Sequence, residues 1–300
     1  MIDDKDKKKI ETMKKAGEIL GQVMGEIIEF AKEGVTELDI DKLAERRILE
    51  LGGEPGFKKV EGYKYTICAS TNDVVVHGIP KERPLKNGDI FGFDCGVYLD
   101  GYHTDMAETI RIKPPESSLA QKGGNHESPA HQSPDLPARA SQWRAGGSSR
   151  MAGGRIMNND EIDKFLKVGK KAMFEAIKQA KAGNHVGHIS KTIHEIIESN
   201  GYSVVRSLIG HGVGRELHED PEIPGYLEGD IEKTPILTTG MTIAVEVIYT
   251  MGKPEVVFEG SDDWTIVTED TSLAGLFERT VAITDEGPEL ITKLADESIN

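Results

Sequence analysis

The chain repeats itself. "AKEGVTELDIDKLAERRILELGG" from Ala31 aligns with "AKAGNHVGHISKTIHEIIESNG" from Ala180 at a constant offset of 149 residues. Ala31, Lys32, Gly34, Ile40, Lys42, Ile48 and Gly52 are matched by Ala180, Lys181, Gly183, Ile189, Lys191, Ile197 and Gly201. Further on, "GDIFGFD" (88–94) aligns with "GMTIAVE" (240–246) at an offset of 152. A chain of this kind is constrained to two related halves, each a helix followed by an apolar strand. The second alignment sets Asp94 opposite Glu246, so each half delivers a carboxylate from the same place in a strand. One such residue reads as a satisfied core acid; two at equivalent positions point to a site shared by the halves.

The first of these acids stands in "FDCGVYLDGYHTDMAET" (93–109). Two strands are expected here, joined at Asp100-Gly101, a strong hairpin turn signal. Asp94 lies among Phe91, Phe93, Cys95 and Val97, where a strand should bury apolar surface. Asp105 follows on the partner strand, and the hairpin is expected to set the two acids roughly opposite each other. Like charges across a strand pair repel, and burial makes this worse.

Periodicity predicts helices over 8–33, 38–51, 160–182 and 187–200. Strands are expected near 64–69, 74–76, 89–99, 102–112, 203–208, 241–250, 255–258, 265–268 and 276–284. Residues 114–155 are rich in Pro, Gly, Ser and Ala and lack periodicity, so disorder is expected there. The organisation expected is one catalytic domain over 1–292, interrupted at 114–155, with 293–300 a flexible tail. A net charge of −15 argues against a nucleic-acid partner. No apolar run reaches membrane-span length, and the charged "MIDDKDKKKIETMKK" does not read as a secretory signal. Cys68 and Cys95 form no metal or disulfide pattern. A cytoplasmic location and a monomeric state are expected.

Other stretches carry chemistry. "VVVHGIP" places His77 just before a turn, and "SLIGHGVGRELHEDPEIPGY" holds His211 between glycines and His218 seven residues later. Glu246 sits in apolar strand sequence, and Glu278 at the start of a strand. His103, His185, His188 and His194 fit solvated loops or helix faces. Asp94, Asp105, His211, Glu246 and Glu278 make a hard, oxygen-rich set with one imidazole, suited to divalent Mn, Fe, Co or Zn rather than to a structural zinc. Two dications turn mutual repulsion of the acids into attraction, and such a pair can share a water that attacks a polarised carbonyl.

The order and spacing of "NDVVVHGIP", "FDCGVYLDGYHTD", "GHGVGRELHEDP", "GMTIAVE" and "DWTIVTEDTSLAGLFERT" resemble the methionine aminopeptidases of the shorter, bacterial-type class. The resemblance covers the chain apart from 114–155 and the tail. It implies an α/β pita-bread fold, with helices packed on a curved antiparallel sheet around a dinuclear metal site. Asp94 would chelate one metal, His211 and Glu246 the other, and Asp105 and Glu278 would bridge. Glu246 would also act as general base. His77 would assist at the scissile amide and His218 would bind the peptide oxygen, while Cys68 and Trp264 would line the methionine pocket. The implied substrates are peptides and nascent proteins beginning with Met followed by a small residue, with a nearby ribosome as the natural partner. A peptidase cleaving before proline on the same fold usually carries a separate N-terminal domain, which the sequence ahead of the catalytic half leaves no room for. Three departures stand out: Val247 replaces a usual proline, Arg279 a usual histidine, and Leu217 an aromatic pocket residue.

Overall fold

A computed structural model describes residues 3–114, 150–152, 155–260 and 262–299. The first half contains α1 (Asp4–Phe30), α2 (Glu37–Glu50), β1 (Glu54–Pro55), β2 (Ile67–Thr71), β3 (Val74–Val76), β4 (Ile90–Leu99) and β5 (Tyr102–Arg111). A small hairpin follows, β6 (Arg150–Ala152) with β7 (Arg155–Met157). The second half contains α3 (Asn159–Ile177), α4 (Val186–Ser199), β8 (Ser203–Val204), β9 (Ile209–Gly212), β10 (Glu219–Pro224), β11 (Thr242–Thr250), β12 (Val256–Phe258), β13 (Ile266–Thr268), β14 (Ala274–Thr284) and β15 (Gly287–Leu290).

The helices form where pattern and caps agree. In α1, Ile10, Met13, Leu20, Met24 and Ile27 recur on one face and are buried. The Asp3 carboxylate accepts from the Asp6 amide at 2.8 Å to close its first turn. Thr36 caps α2 in the same way, and Asn158 with Glu161 forms a capping box on α3. Each helix pair covers its own part of the sheet. Leu20, Ile27, Ile40 and Ile48 pack with Phe91 and Phe93 in one core; Phe165, Met173, Ile189 and Ile193 pack with Val245, Tyr249 and Phe277 in another. Each fully buried side chain of this size contributes about 1.5–3 kcal/mol.

The main sheet runs β1-β4-β5-β14-β11-β9-β10, with β2 on β4, β15 on β14 and β8 on β11. Its pairs are antiparallel. The duplication is visible in the backbone. α2 and α4 are each 14 residues long and begin at the offset of 149. Isolated bridges join Thr36 to Pro84 and His185 to Ile236, equivalent positions in the two halves. The Gly34 amide donates to Leu85 O and the Gly183 amide to Leu237 O, both at 2.9 Å. This is the pita-bread arrangement expected from the resemblance.

β5 and β14 form the seam between the halves, and their ladder is short: only Glu278↔Ala107 and Arg279↔Met106 are in register. Threonine side chains carry the pairing beyond it. Thr109 Oγ1 donates to Leu276 O at 2.6 Å and accepts from Leu276 N at 2.9 Å. Thr280 Oγ1 accepts from Asp105 N and donates to Asp105 O, both at 2.9 Å.

Some expectations need correction. The end of the segment expected to be structureless contains β6, which pairs with β7; residues 115–149, the bulk of it, lie outside the described residues. The flexible tail expected from 293 is instead docked. Leu294 packs against the first-half core and Ile299 against the second, and Glu297 pairs with Arg279 and Lys170. Polar composition hides this, because the tail is anchored through an ion pair rather than an apolar run. The strand near 203–208 is only Ser203–Val204. No helix among the described residues is long and apolar enough to cross a membrane.

Candidate metal centre

The Asp100-Gly101 turn brings two acids to one face. Both residues have positive φ, 47° and 90°, as a two-residue hairpin with the twist of its strands requires. The register sets Asp105 opposite Gly96 and Asp94 opposite Ala107. The acids are therefore diagonal neighbours on one face rather than direct partners, which is the outcome of counting the turn as two residues. In the second half Glu246 and Glu278 are direct partners across β11 and β14. His211 on β9 stands opposite Ala244 of β11.

These five side chains converge. His211 Nε2 lies 4.0 Å from Glu246 Oε1 and 3.9 Å from Glu278 Oε1. Ligand atoms of Asp105, His211 and Glu278 all lie within 4.8 Å of one another. His211 Nδ1 is 2.9 Å from the Gly212 carbonyl; donating there leaves the Nε2 lone pair facing the acids. Asp94 Oδ1 and Glu278 Oε1 are buried and have no hydrogen-bond partner among the described residues.

Such a group is electrostatically unfavourable on its own. Burial, then the neighbouring Asp105 charge, raises Asp94 well above the usual carboxylate range. Glu278 is raised by burial and by Asp105, Glu246 and Asp94. Asp105 is pushed up to about 7 and Glu246 to about 8, chiefly by burial. His211 is held down at about 4 by burial and by His218, so it is neutral at pH 7. Orphaned carboxylate oxygens, a neutral imidazole and repelling acids fit divalent cations, which satisfy all three at once.

The acids form one wall of a cavity of about 280 Å3. All nine residues singled out in the sequence line it: Cys68, His77, Asp94, Asp105, His211, His218, Glu246, Trp264 and Glu278. His77 has a φ of 55°, an uncommon conformation for a residue with a Cβ. Burial lowers the affinity of His77 and His218 for protons. The His211 and His218 rings meet edge-on, with centroids 4.4 Å apart.

The same cavity has an apolar lining, and the sequence pointed to only part of it. Tyr63 packs edge-on to Trp264 at 5.1 Å and to Phe57 at 6.3 Å. Its hydroxyl donates to Ile67 O at 2.8 Å, which fixes the ring. Phe57, Val60 and Tyr63 come from an irregular stretch between helix and strand, with no periodic signal to mark them. His103 also departs from expectation: it is 5% exposed rather than solvated, and lies 4.8 Å from the Tyr98 ring.

The comparisons agree with this geometry. Metallopeptidase family M24 matches residues 11–123 and 148–285. A methionine aminopeptidase of Clostridium acetobutylicum is 39% identical over 293 residues, covering 97% of this chain and 99% of its own. Methionine aminopeptidase 1 of Bacillus subtilis is 33% identical over 294 residues, covering 98% of this chain and 100% of its own. The crystal structure of methionine aminopeptidase from Thermotoga maritima superposes with a TM-score of 0.78 at 33% identity, covering 95% of this chain and 97% of that one. A prolidase from Pyrococcus horikoshii shares the fold at 20% identity and a TM-score of 0.66. Matched along nearly its whole length, and with Asp105, His211 and Glu278 gathered in one buried cluster, this chain belongs to metallopeptidase family M24.

Proposed function

We propose that this chain is a metal-dependent aminopeptidase that removes methionine from peptides and new proteins with a small second residue. The observation that carries the reading is the cavity itself, lined both by the acids with His211 and by the apolar cluster of Phe57, Tyr63, Leu217 and Trp264. Asp94, Asp105, His211, Glu246 and Glu278 would hold two divalent ions of the Mn, Fe, Co or Zn type. When bound, the ions supply a nucleophilic water at neutral pH and polarise the scissile carbonyl.

The chain's own residues do the rest. Glu246, a poor carboxylate in the metal-free cavity, ionises beside cationic charge and accepts the proton released during attack. His77 donates a hydrogen bond at the scissile amide, and His218 binds the peptide oxygen. Cys68, Tyr63, Trp264 and Leu217 take up the methionine side chain; burying it excludes water and aligns the peptide bond with the acids. The enzyme works as a monomer in the cytoplasm on chains emerging from the ribosome.

Release of methionine from a Met-Ala peptide tests this. Chelator-stripped protein should be inactive and regain activity with Mn(II) or Co(II), while an Xaa-Pro peptide should be cleaved far more slowly. Equal activity without metal, or preference for the Xaa-Pro peptide, would sink the reading.

A further inference from the structure

Behind the acids, on the helix-covered face of the sheet, lies a second group of charges. Arg279 follows Glu278 in β14, so its side chain points away from the cavity. It is fully buried, at 0% exposed. Its Nη2 lies 2.5 Å from Glu108 Oε2 and 2.6 Å from Glu297 Oε1, and its Nε 2.8 Å from Glu297 Oε2. Lys170 Nζ joins both acids at 2.9 Å. The two carboxylate side chains are 5% and 6% exposed.

The guanidinium also grips the seam. Nη1 donates to Glu278 O at 2.7 Å and to Ala107 O at 2.9 Å. Ala107 is the register partner of both Asp94 and Glu278. Arg279 therefore ties the backbone of Glu278 to that of Ala107, the residue across the ladder from Asp94. A third acid is reached by another route. Thr292 Oγ1 accepts from Thr280 N at 2.9 Å and donates to Asp105 O at 3.2 Å.

Thr292 and Glu297 belong to the same final segment, whose course is tightly defined. A Cβ at Gly17 or Gly21 of α1 would collide with the Ile291 and Lys293 carbonyl oxygens. From there the segment crosses the seam, seating Leu294 in one core and Ile299 in the other.

We propose that residues 291–299 and the Arg279 cluster form a strap that positions the metal ligands, with Glu297 and Thr292 as positioning residues. The proposal rests on the metal-centre reading above. A strap that only held the fold together would change stability; a positioning strap sets the spacing of Asp94, Asp105 and Glu278 and so changes metal affinity.

Titration calorimetry of Mn(II) into the metal-free full chain decides it, with Co(II) absorption spectra of the same proteins. Glu297→Gln keeps the side chain's shape and removes its charge; Thr292→Val removes the hydroxyl and keeps the volume. Each variant should bind Mn(II) at least about 10-fold more weakly, the low end for loss of an outer partner of a metal ligand. The Co(II) bands should shift, and kcat should fall with KM for a Met-Ala peptide within about two-fold. Wild-type metal affinity and an unchanged Co(II) spectrum in the variants would overturn the proposal, whatever happens to Tm. If Glu297→Gln fails to fold, Thr292→Val alone decides by the same readings. Asp105→Asn is the control: if it binds Mn(II) as tightly as wild type, the metal-centre reading fails instead.

Discussion

Glu246 and Glu278 face each other directly across β11 and β14, Glu278 buried and Glu246 nearly so, with His211 Nε2 about equally far from one oxygen of each, 4.0 and 3.9 Å. Two acids so placed cannot both ionise cheaply without a cation between them and their neighbours. The behaviour of the metal-free protein follows from that.

Asp105 is raised to about 7 and Glu246 to about 8, from ordinary values of 3.8 and 4.5. Below both ordinary values the folded and unfolded chains are protonated alike. As pH rises through about 4 to 8 the unfolded chain releases its carboxyl protons first, so these acids take stability from the metal-free fold across that window, offset in part up to about 6.5 by His211, which is neutral in the fold before it is in the unfolded chain. Mn(II) requires the carboxylates deprotonated, so its affinity should rise over the same window, with protons released. Urea unfolding of metal-free protein at pH 5 and pH 8.5, with and without Mn(II), measures this. Greater metal-free stability at pH 8.5 would contradict it.

Asp105→Asn should separate function from stability. Losing a ligand worth several kcal/mol of transition-state stabilisation should cut turnover by about 10³ or more. The metal-free variant should gain on the order of 1 kcal/mol from relieved repulsion, or about 2 °C in Tm for a chain of this size. A metal-free Tm below wild type would argue against the repulsion.

His77 and His211 should fail differently. His77→Ala should lower kcat by about 10²–10⁴ with metal content unchanged. His211→Ala should lose metal, visible by calorimetry before any assay. Identical metal affinity in the two variants would remove His211 from the ligand set.

Leu217, 7% exposed, shares the apolar wall with Phe57, Tyr63 and Cys68. Leu217→Ala opens the recess and should cost about 1–3 kcal/mol, or 10–200-fold in kcat/KM, on Met-Ala peptides. The loss on an N-terminal residue bulkier than Met should be smaller. Equal losses on both would show that Leu217 does not shape the recess.

Much of this molecule was legible because its signals are local or repeated. The helical periodicity over 8–33 and 160–182, the Asp100-Gly101 turn and the apolar runs of β4, β11 and β14 all announce themselves. The duplicated acids at 94 and 246 pointed to a shared cavity. The strands carrying His211 and His218's surroundings were missed, because "IGHG" and "EDPEIP" lack the branched and aromatic residues that mark strands. The Phe57–Tyr63 wall was missed because tertiary packing alone gathers it. His103 looked solvated because a histidine next to a turn carries no sign of what folds over it. The docked tail was hidden because Glu297 finds its partner 18 residues upstream, on a strand otherwise read as apolar.

The seam between β5 and β14 divides the proposed metal ligands as well as the sheet: Asp94 and Asp105 belong to one half, His211, Glu246 and Glu278 to the other. Ligand atoms from both sides lie within 4.8 Å of one another, so an ion held there cross-links the halves. Its binding and their cohesion are then a single coupling, and the coupling is reciprocal. Whatever draws the halves together tightens the grip on metal, and any molecule that wedges them apart weakens that grip by the same factor by which metal opposes the wedge.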